Sequence, residues 1–138
     1  MKITNNKTYL EKIKKFFDKN DWEPLTFQLE SWEAYFNGEN GIIQVPTGCG
    51  KTYAALMGPL SKLNNSRNKS GLNILLITPL KALSRDLKNA IDLAAKYFDE
   101  EITVGIRNGD TSPYEKKKQI LNPPNILITT PESLSLLL

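Results

Sequence analysis

The sequence predicts an α/β domain, a parallel sheet with helices on both faces. Two observations predict it: short apolar runs alternate with segments of helical periodicity, and turn residues separate the two. The predicted strands are residues 41–45, 72–78, 102–106 and 125–129. Strands that are joined through helices run parallel, and both faces of such a sheet are covered.

Two helices are predicted before the first strand. The first is amphipathic, because apolar residues recur at helical spacing at Tyr9, Ile13, Phe16 and Phe17. The second is predicted over residues 27–36, with Thr26 as its N-cap. Turn residues then lead into the first strand, whose apolar sequence predicts that it is buried.

A third helix is predicted from about Lys51, with a kink or an end at the Gly58–Pro59 pair. Residues 61–71 are rich in Asn, Ser and Lys and are predicted to form an exposed loop. After the second strand, apolar residues again repeat at helical spacing: Leu80, Leu83, Leu87, Ile91, Ala94 and Phe98. We expect Leu80 and Leu83 to belong to the core.

Two further helices have recognisable starts. Ser112, Pro113 and Glu115 form a capping-box pattern with proline at the first helical position, and this helix is predicted to end before Pro123. Thr130 followed by Pro131 begins another helix after the fourth strand. Residues 99–101 are acidic and are expected to form a surface turn.

Composition excludes several classes of chemistry. The chain has one cysteine and no histidine, so an internal disulfide, a zinc site and histidine-based acid/base catalysis are excluded. No segment has the roughly 20 apolar residues that span a bilayer, and the N-terminus does not resemble a secretory signal. We expect a cytoplasmic protein. A net charge of +3 permits a polyanionic partner without requiring one.

Residues 41–52, GIIQVPTGCGKT, predict a phosphate-binding loop between a strand and a helix. Two glycines allow the backbone to approach an anion closely, and the amides at the start of the following helix attract phosphate. A lysine would reach the β- and γ-phosphates, and a hydroxyl would ligate Mg²⁺. The predicted nucleotide-binding residues of this loop are Pro46, Thr47, Gly48, Cys49, Gly50, Lys51 and Thr52.

Two positions depart from the general pattern. Val45 stands where glycine is usual, and it is larger than the alanine that is also common there. Cys49 stands where serine or threonine is common, and we interpret it as a small filler rather than a reactive group.

Five segments in this order resemble superfamily 2 helicases: Phe27-Gln28, PTGCGKT, TPLKALSRD at residues 78–86, RNGDTS at 107–112, and TTPESL at 129–134. The set is most similar to the Lhr-like branch, and within it to the ligase-associated DEXH-box DNA helicases of bacteria. The resemblance covers nearly the whole chain from Trp22. It implies a RecA-like ATP-binding domain, a parent protein that hydrolyses ATP, and movement on DNA from 3′ to 5′.

The resemblance also implies roles at matching positions. Gln28 would read the adenine edge, and Lys51 and Thr52 would be the catalytic residues, with ATP and Mg²⁺ as cofactors. Trp22 or Phe27 packs either on the base or in the core. The residues implied to contact the nucleic-acid backbone are Pro79, Lys81, Arg85, Gly109, Asp110, Thr111, Thr130, Pro131 and Glu132. A simple helix-capping role is the alternative for Thr111 and Thr130, and Glu132 also suits a helix start without any ligand.

The DEXH motif of the family does not occur in these residues. We therefore expect residues 1–22 to be a helical extension and residues 23–138 to be the first part of a RecA-like domain, truncated before that motif. The piece alone is expected to have negligible DNA-stimulated ATPase activity. The resemblance further suggests DNA repair, with a DNA ligase and a nuclease as partners and no membrane association.

Three alternatives stay open at this point. The helicase could act on RNA, since nothing in the residues identifies a reader of the 2′-hydroxyl. The chain could be a non-catalytic nucleotide- or nucleic-acid-binding remnant. A small-molecule kinase or another phosphate-loop transferase is the third alternative, although it would leave the segments after the phosphate loop unexplained.

Overall fold

The computed structural model describes residues 2–64, 66, 69–79 and 81–138, with the backbone alone at residues 2–5, 81 and 82. The chain divides into two compact units, residues 1–65 and 66–138. The predicted phosphate loop belongs to the first unit. The segments that resemble nucleic-acid-contacting motifs belong to the second.

The first unit is helical. Its helices are α1 (Lys2–Lys19), α2 (Thr26–Phe36) and α3 (Lys51–Asn64). Helix α2 packs against α3, and α1 packs against both, so the unit buries one shared apolar cluster. The members of that cluster are Ile13, Phe16, Phe17, Trp32, Phe36, Ala54, Leu56, Met57, Leu60 and Leu63.

Helices α2 and α3 are joined by one polar and one steric contact. The buried Trp32 donates its indole N–H to the carbonyl oxygen of Tyr53 at 2.9 Å. A Cβ atom on Gly58 would lie 2.7 Å from Cδ1 of Tyr35, so the glycine lets the tyrosine ring approach the α3 backbone. The bond to Tyr53 holds the first turn of α3, which follows the predicted phosphate loop, against α2, and the contact at Gly58 does the same in the middle of the helix.

The predicted strand at residues 41–45 is wrong. This segment has no strand assignment, and the side chain of Ile42 is 94% exposed rather than buried. A strand forms when its backbone groups pair with a neighbouring strand, and the sheet formed by the described residues does not include this segment. Local apolar sequence alone therefore does not make it a strand.

Three predictions about helix boundaries in this unit are also corrected. Residue Leu25, not Thr26, is the N-cap of α2, and its backbone N–H donates to Oε1 of Gln28 at 2.9 Å. Of the two outcomes predicted at Gly58–Pro59, a kink or an end, the end is wrong, because α3 contains Pro59 and continues to Asn64. Residues 61–64 of the predicted loop are therefore helical, because Ser61 and Leu63 face the buried side of α3.

The second unit contains a three-stranded parallel sheet. Its strands are β1 (Ile74–Ile77), β2 (Val104–Arg107) and β3 (Ile126–Thr129), in the order β1-β3-β2. The central strand β3 is buried along its whole length, whereas Leu75 and Ile77 of β1 are exposed. The parallel α/β architecture is confirmed, and β1 is less buried than its apolar sequence predicts.

Helix α4 (Lys81–Phe98) packs against β2 and β3. Its buried face carries Ile91, Ala94 and Ala95, as the helical spacing predicts. Leu83 is 49% exposed, so the prediction that it belongs to the core is wrong, and Leu80 lies outside the described residues. The apolar repeat therefore identifies the buried face correctly from the middle of the helix onward.

The last two helices are α5 (Pro113–Leu121) and α6 (Pro131–Leu137). Ser112 caps α5 by accepting the backbone N–H of Glu115 at 3.2 Å, as predicted. Thr130 caps α6 through the backbone N–H of Ser133 at 3.4 Å. Both helices begin with proline directly after the cap, which suits a position whose N–H has no partner inside the helix.

Candidate nucleotide loop and nucleic-acid interface

The predicted phosphate loop ends at the first residue of α3. Gly48 and Gly50 have φ angles of +81° and +82°, a conformation that glycine adopts without strain. The first intrahelical bond of α3 runs from the amide of Ala54 to the carbonyl of Gly50 at 3.1 Å. Lys51 and Thr52 therefore lie in the first turn, where helix amides are directed at external partners.

The middle of the predicted phosphate loop is open to solvent. Pro46, Thr47 and Gly48 are exposed, and a Cβ atom built on Gly48 would meet no atom within 4 Å. The positive end of the α3 dipole lies at the N-terminus of that helix, directly after the loop. An anion therefore has open access to the loop, and the residues present fit a nucleotide phosphate.

Gln28 contacts the loop backbone. It is 3% exposed, and its Nε2 donates to the carbonyl oxygen of Gly50 at 3.1 Å while its Oε1 accepts from the amide of Leu25. The amide group therefore links the start of α2 to the phosphate loop. The predicted contact of Gln28 with an adenine edge stays a prediction, and in this structure the side chain positions the loop.

Aromatic rings surround the start of α3 within the first unit. Trp22 is 41% exposed, and its ring lies 5.6 Å from that of Tyr53 at an angle of 35°. Edge contacts to Phe16 and Phe17 hold Trp22 in place. Part of Trp22 is thus packed against aromatic rings and part of it is exposed, and a contact between Trp22 and a base stays a prediction.

The second unit brings the predicted nucleic-acid segments to one edge of its sheet. Ile77, Thr129 and Arg107 are register partners at the carboxyl ends of β1, β3 and β2. The chain leaves all three strands at this edge, so the segments that begin at Thr78, Asn108 and Thr130 start side by side. Ligands of open parallel sheets bind at such an edge.

The turn after β2 is tightly bonded to itself. The hydroxyl of Thr111 donates to the carbonyl of Ile106 at 3.3 Å and accepts the amide of Asn108 at 3.0 Å. Asn108 in turn accepts the amide of Asp110 through its side chain at 2.9 Å. Gly109 and Asp110 are exposed at the tip. Thr111 does not cap α5, because Ser112 does, so the capping alternative for Thr111 is wrong.

The segment after β3 is buried at its first residue and exposed beyond it. Thr130 is 3% exposed, whereas Pro131 and Glu132 are exposed. Thr130 caps α6, so its capping role is confirmed. A phosphate contact by Thr130 stays a prediction.

The segment after β1 is described in part. Pro79 and Arg85 are exposed, as a backbone contact requires. The side chain of Lys81 lies outside the described residues. Thr78 donates its amide to the carbonyl of Thr129 at 2.9 Å, which extends the pairing of β1 with β3 by one bond.

Two residues that shape this edge were not predicted from the sequence. The buried hydroxyl of Thr129 donates to the carbonyl of Arg107 at 2.7 Å and so links β3 to β2. Asn108 closes the following turn. The position of Asn108 directly before Gly109, a common turn pair, is the signal that could have identified it.

Two further properties apply to the described part of the chain. It contains no group of three or more histidine, cysteine, aspartate or glutamate side chains that could hold a metal ion. None of its helices combines the length and the apolar character that crossing a bilayer requires.

Comparison with known proteins gives one family and several relatives. The model of the family described as "DEAD/DEAH box helicase" matches residues 25–138. The chain is 37% identical to "Lhr helicase/ probable uracil glycosylase" of Mycolicibacterium smegmatis, over 83% of this chain and 8% of that protein. It is 43% identical to "ATP-dependent helicase Lhr-Core" of Sulfolobus acidocaldarius, over 70% of this chain and 12% of that protein.

Solved structures have the same fold. The helicase Lhr of Mycobacterium smegmatis, bound to ssDNA and AMP-PNP, superimposes with a TM-score of 0.79 at 33% identity, over 89% of this chain and 17% of that one. The DUF1998 helicase MrfA, bound to DNA and AMPPNP, gives a TM-score of 0.75 at 27% identity, over 88% of this chain and 17% of that one. The chain thus spans less than a fifth of these structures. The identities to the Lhr proteins confirm the resemblance to the Lhr-like branch.

Proposed function

Because this chain belongs to the DEAD/DEAH box helicase family, we propose that it supplies the ATP-binding loop and part of the DNA-binding surface of a helicase. Energy from ATP hydrolysis would drive movement along a strand. The observation that carries this proposal is the phosphate loop, in which two glycines at positive φ precede a helix that begins with Lys51 and Thr52.

The nucleotide half of the proposal follows from the geometry of the loop. Open backbone amides and the α3 dipole favour the β-phosphate, and the ammonium group of Lys51 adds charge for the γ-phosphate. The hydroxyl of Thr52 would ligate Mg²⁺, whose other ligands would be phosphate oxygens and water. Gln28 would hold the carbonyl of Gly50, and with it the loop, in place. The AMP-PNP in the Lhr structure supports ATP as the nucleotide.

The nucleic-acid half follows from the carboxyl edge of the sheet. Three chain segments begin side by side at this edge, and each carries exposed residues that could contact a strand. These residues are Pro79, Arg85, Gly109, Asp110, Pro131 and Glu132. Contacts from Thr130 and Lys81 would add to them, while Thr111, whose hydroxyl donates to the carbonyl of Ile106, would hold the turn in place. Such contacts to phosphates carry no sequence information, which suits an enzyme that moves along any strand. DNA is the partner named for the Lhr and MrfA structures.

Finer points of the proposal rest on the resemblance to ligase-associated helicases. They are movement from 3′ to 5′, a role in DNA repair, and a ligase and a nuclease as partners. We also propose a cytoplasmic location. The boundary between a helical extension and the RecA-like domain is proposed at residue 22.

The nucleotide proposal is tested by titrating the protein with a fluorescent ATP analogue. Lys51→Ala should weaken binding at least about tenfold, because it removes a charge-assisted contact to phosphate. Lys14→Ala, which removes an exposed lysine of α1 in the same unit, should bind as the wild type does. Equal affinity of the wild type and Lys51→Ala would remove the proposed nucleotide site.

The substrate is tested by fluorescence anisotropy with single DNA and RNA strands of matched sequence. We expect the DNA strand to bind at least as tightly as the RNA strand, with an affinity that falls as salt rises. A strong preference for RNA would change the substrate of the proposed helicase, and the absence of binding to either strand would remove the nucleic-acid half of the proposal.

A further inference from the structure

Helix α5 presents one uncovered face. Its residues Tyr114, Lys117, Lys118 and Leu121 are three and four positions apart and therefore share that face. Tyr114 is 74% exposed and Leu121 is 71% exposed, and both lysines are exposed as well. No residue of α5 is buried. The lysine run of the sequence is thus divided, with Lys117 and Lys118 on this face and Lys116 on another.

The opposite side of α5 is bonded to β2. Nε2 of Gln119 donates to the carbonyl of Ile106 at 2.9 Å, and Nη1 of Arg107 donates to the carbonyl of Lys116 at 3.1 Å. The Ser112 cap fixes the start of the helix. These bonds prevent α5 from rotating about its axis, so the face with Tyr114 keeps its direction relative to the sheet.

The chemistry of this face complements a single strand of nucleic acid. Two ammonium groups lie beside an aromatic ring, and the one acidic residue of the helix, Glu115, lies three positions before Lys118, with which it lines one cavity. Phosphates pair with lysine, and unstacked bases stack on exposed aromatic rings. Three lysines against one glutamate give α5 a net positive charge, so charge favours a polyanion.

The position of Tyr114 connects this face to the sheet edge described above. Tyr114 lies in the first turn of α5, directly after the bonded turn at residues 108–111 that follows β2. A strand whose phosphates contact Gly109 would reach the start of α5 within one or two nucleotides, because nucleotides along an extended strand are roughly the length of one helical turn apart.

We propose that Tyr114 stacks on a base of the bound single strand while Lys117 and Lys118 neutralise its phosphates. This inference rests on the proposed function and adds a base contact to a surface that otherwise holds phosphates. Stacking is tolerant of sequence, because every base has a planar face. Such a contact would hold the strand without selecting a sequence.

The inference is tested by fluorescence anisotropy with a labelled oligothymidylate and an abasic strand of equal length. Tyr114→Ala should weaken oligothymidylate binding about tenfold, and Tyr114→Phe should keep it within about twofold, because phenylalanine retains the ring. On the abasic strand, the wild type and Tyr114→Ala should bind equally. Replacing both lysines with glutamine should lower the slope of log affinity against log salt by about 1.4.

Ile120→Ala is the matched control, because Ile120 is a 64% exposed apolar residue of the same helix on another side. It should leave binding to both strands unchanged. Wild-type affinity of Tyr114→Ala for oligothymidylate would overturn the inference and leave the proposed function standing. A wild-type protein that binds the ATP analogue but neither strand would overturn both the nucleic-acid half of the proposed function and this inference.

Discussion

Gly48 and Gly50 have nearly the same backbone conformation but different surroundings. Both have positive φ, so any side chain at either position would be strained. A Cβ atom on Gly48 would meet open space, whereas one on Gly50 would lie 2.6 Å from Nε2 of Gln28. The second glycine is therefore required for conformation and for the approach of a buried side chain.

This difference predicts the stability of two matched variants. Gly48→Ala should lower the free energy of unfolding of the first unit by about 1 kcal/mol, the cost of positive φ alone. Gly50→Ala should cost at least about 2 kcal/mol, because it also displaces Gln28 from its hydrogen bonds. Urea unfolding followed by tryptophan fluorescence measures this unit specifically, since Trp22 and Trp32 both lie in it.

A double-mutant cycle identifies the cause. If Gln28 is the residue that resists the new Cβ atom, the excess cost of Gly50→Ala should disappear in a Gln28→Ala background. Equal costs for the two glycine variants in the wild-type background would show that Gln28 does not constrain the loop.

At the scale of elements, helix α4 shows how burial selects one face. Ile91 is fully buried where α4 packs against β2 and β3, while Leu93, two residues further on, is 48% exposed. The two side chains have the same number of carbon atoms, so their contributions to stability differ because one is buried and the other is half exposed. The amphipathic pattern is what attaches α4 to the sheet that carries the proposed nucleic-acid segments.

We expect Ile91→Ala to lower the free energy of unfolding of the second unit by about 3 kcal/mol, because it opens a cavity under α4. Leu93→Ala on the same helix should change it by less than about 1 kcal/mol. Chemical denaturation followed by far-UV circular dichroism compares the two. Similar losses in both variants would mean that α4 does not pack as described.

At the scale of the whole molecule, two half-buried tyrosines of the first unit couple stability to pH. Burial raises the pKa of Tyr53 above its ordinary value of 10.0. Burial, and to a smaller extent the charge of Tyr9, raises the pKa of Tyr35. The unfolded chain therefore releases these protons at lower pH than the folded chain does. The resulting stability is complete below about pH 10 and is lost as pH rises through the folded-state pKa values.

The double variant Tyr35→Phe/Tyr53→Phe should consequently lose less thermal stability than the wild type between about pH 7 and about pH 11. Melting temperatures of both proteins at the two pH values give the comparison, and the difference between pH values cancels any packing change that the substitutions cause. Identical losses in the two proteins would show that these hydroxyl groups do not ionise in the unfolding transition.

Several features of this protein followed from local sequence. The glycines of the phosphate loop, the Ser112 cap and the buried face of α4 depend on the conformational range of single residues or on the period of one helix. The sequence predicts them because their causes lie within a few residues of one another. Neighbouring chain segments were enough to determine them.

Other features depended on partners that are distant in sequence. Residues 41–45 are apolar, yet strand formation needs a paired neighbour, and the sheet of the described residues is built from β1, β2 and β3 instead. Residues 61–64 were predicted to be a loop because of the polar composition of residues 61–71, but they continue α3. Burial of Leu63 stabilises this last turn of the helix. The composition of a short segment does not show which distant residues it pairs with or packs against, so these two features could not be predicted from it.

The sequence by itself determined the two glycines of the loop before α3, the α/β class and the order of the motifs, because each is encoded by residue type and spacing. Only the tertiary structure decided that Gln28 contacts Gly50 across the chain, that the carboxyl ends of three strands align, and that α5 exposes Tyr114 beside two lysines. These are relations between segments, and they exist only once backbone pairing and side-chain burial have brought distant residues together.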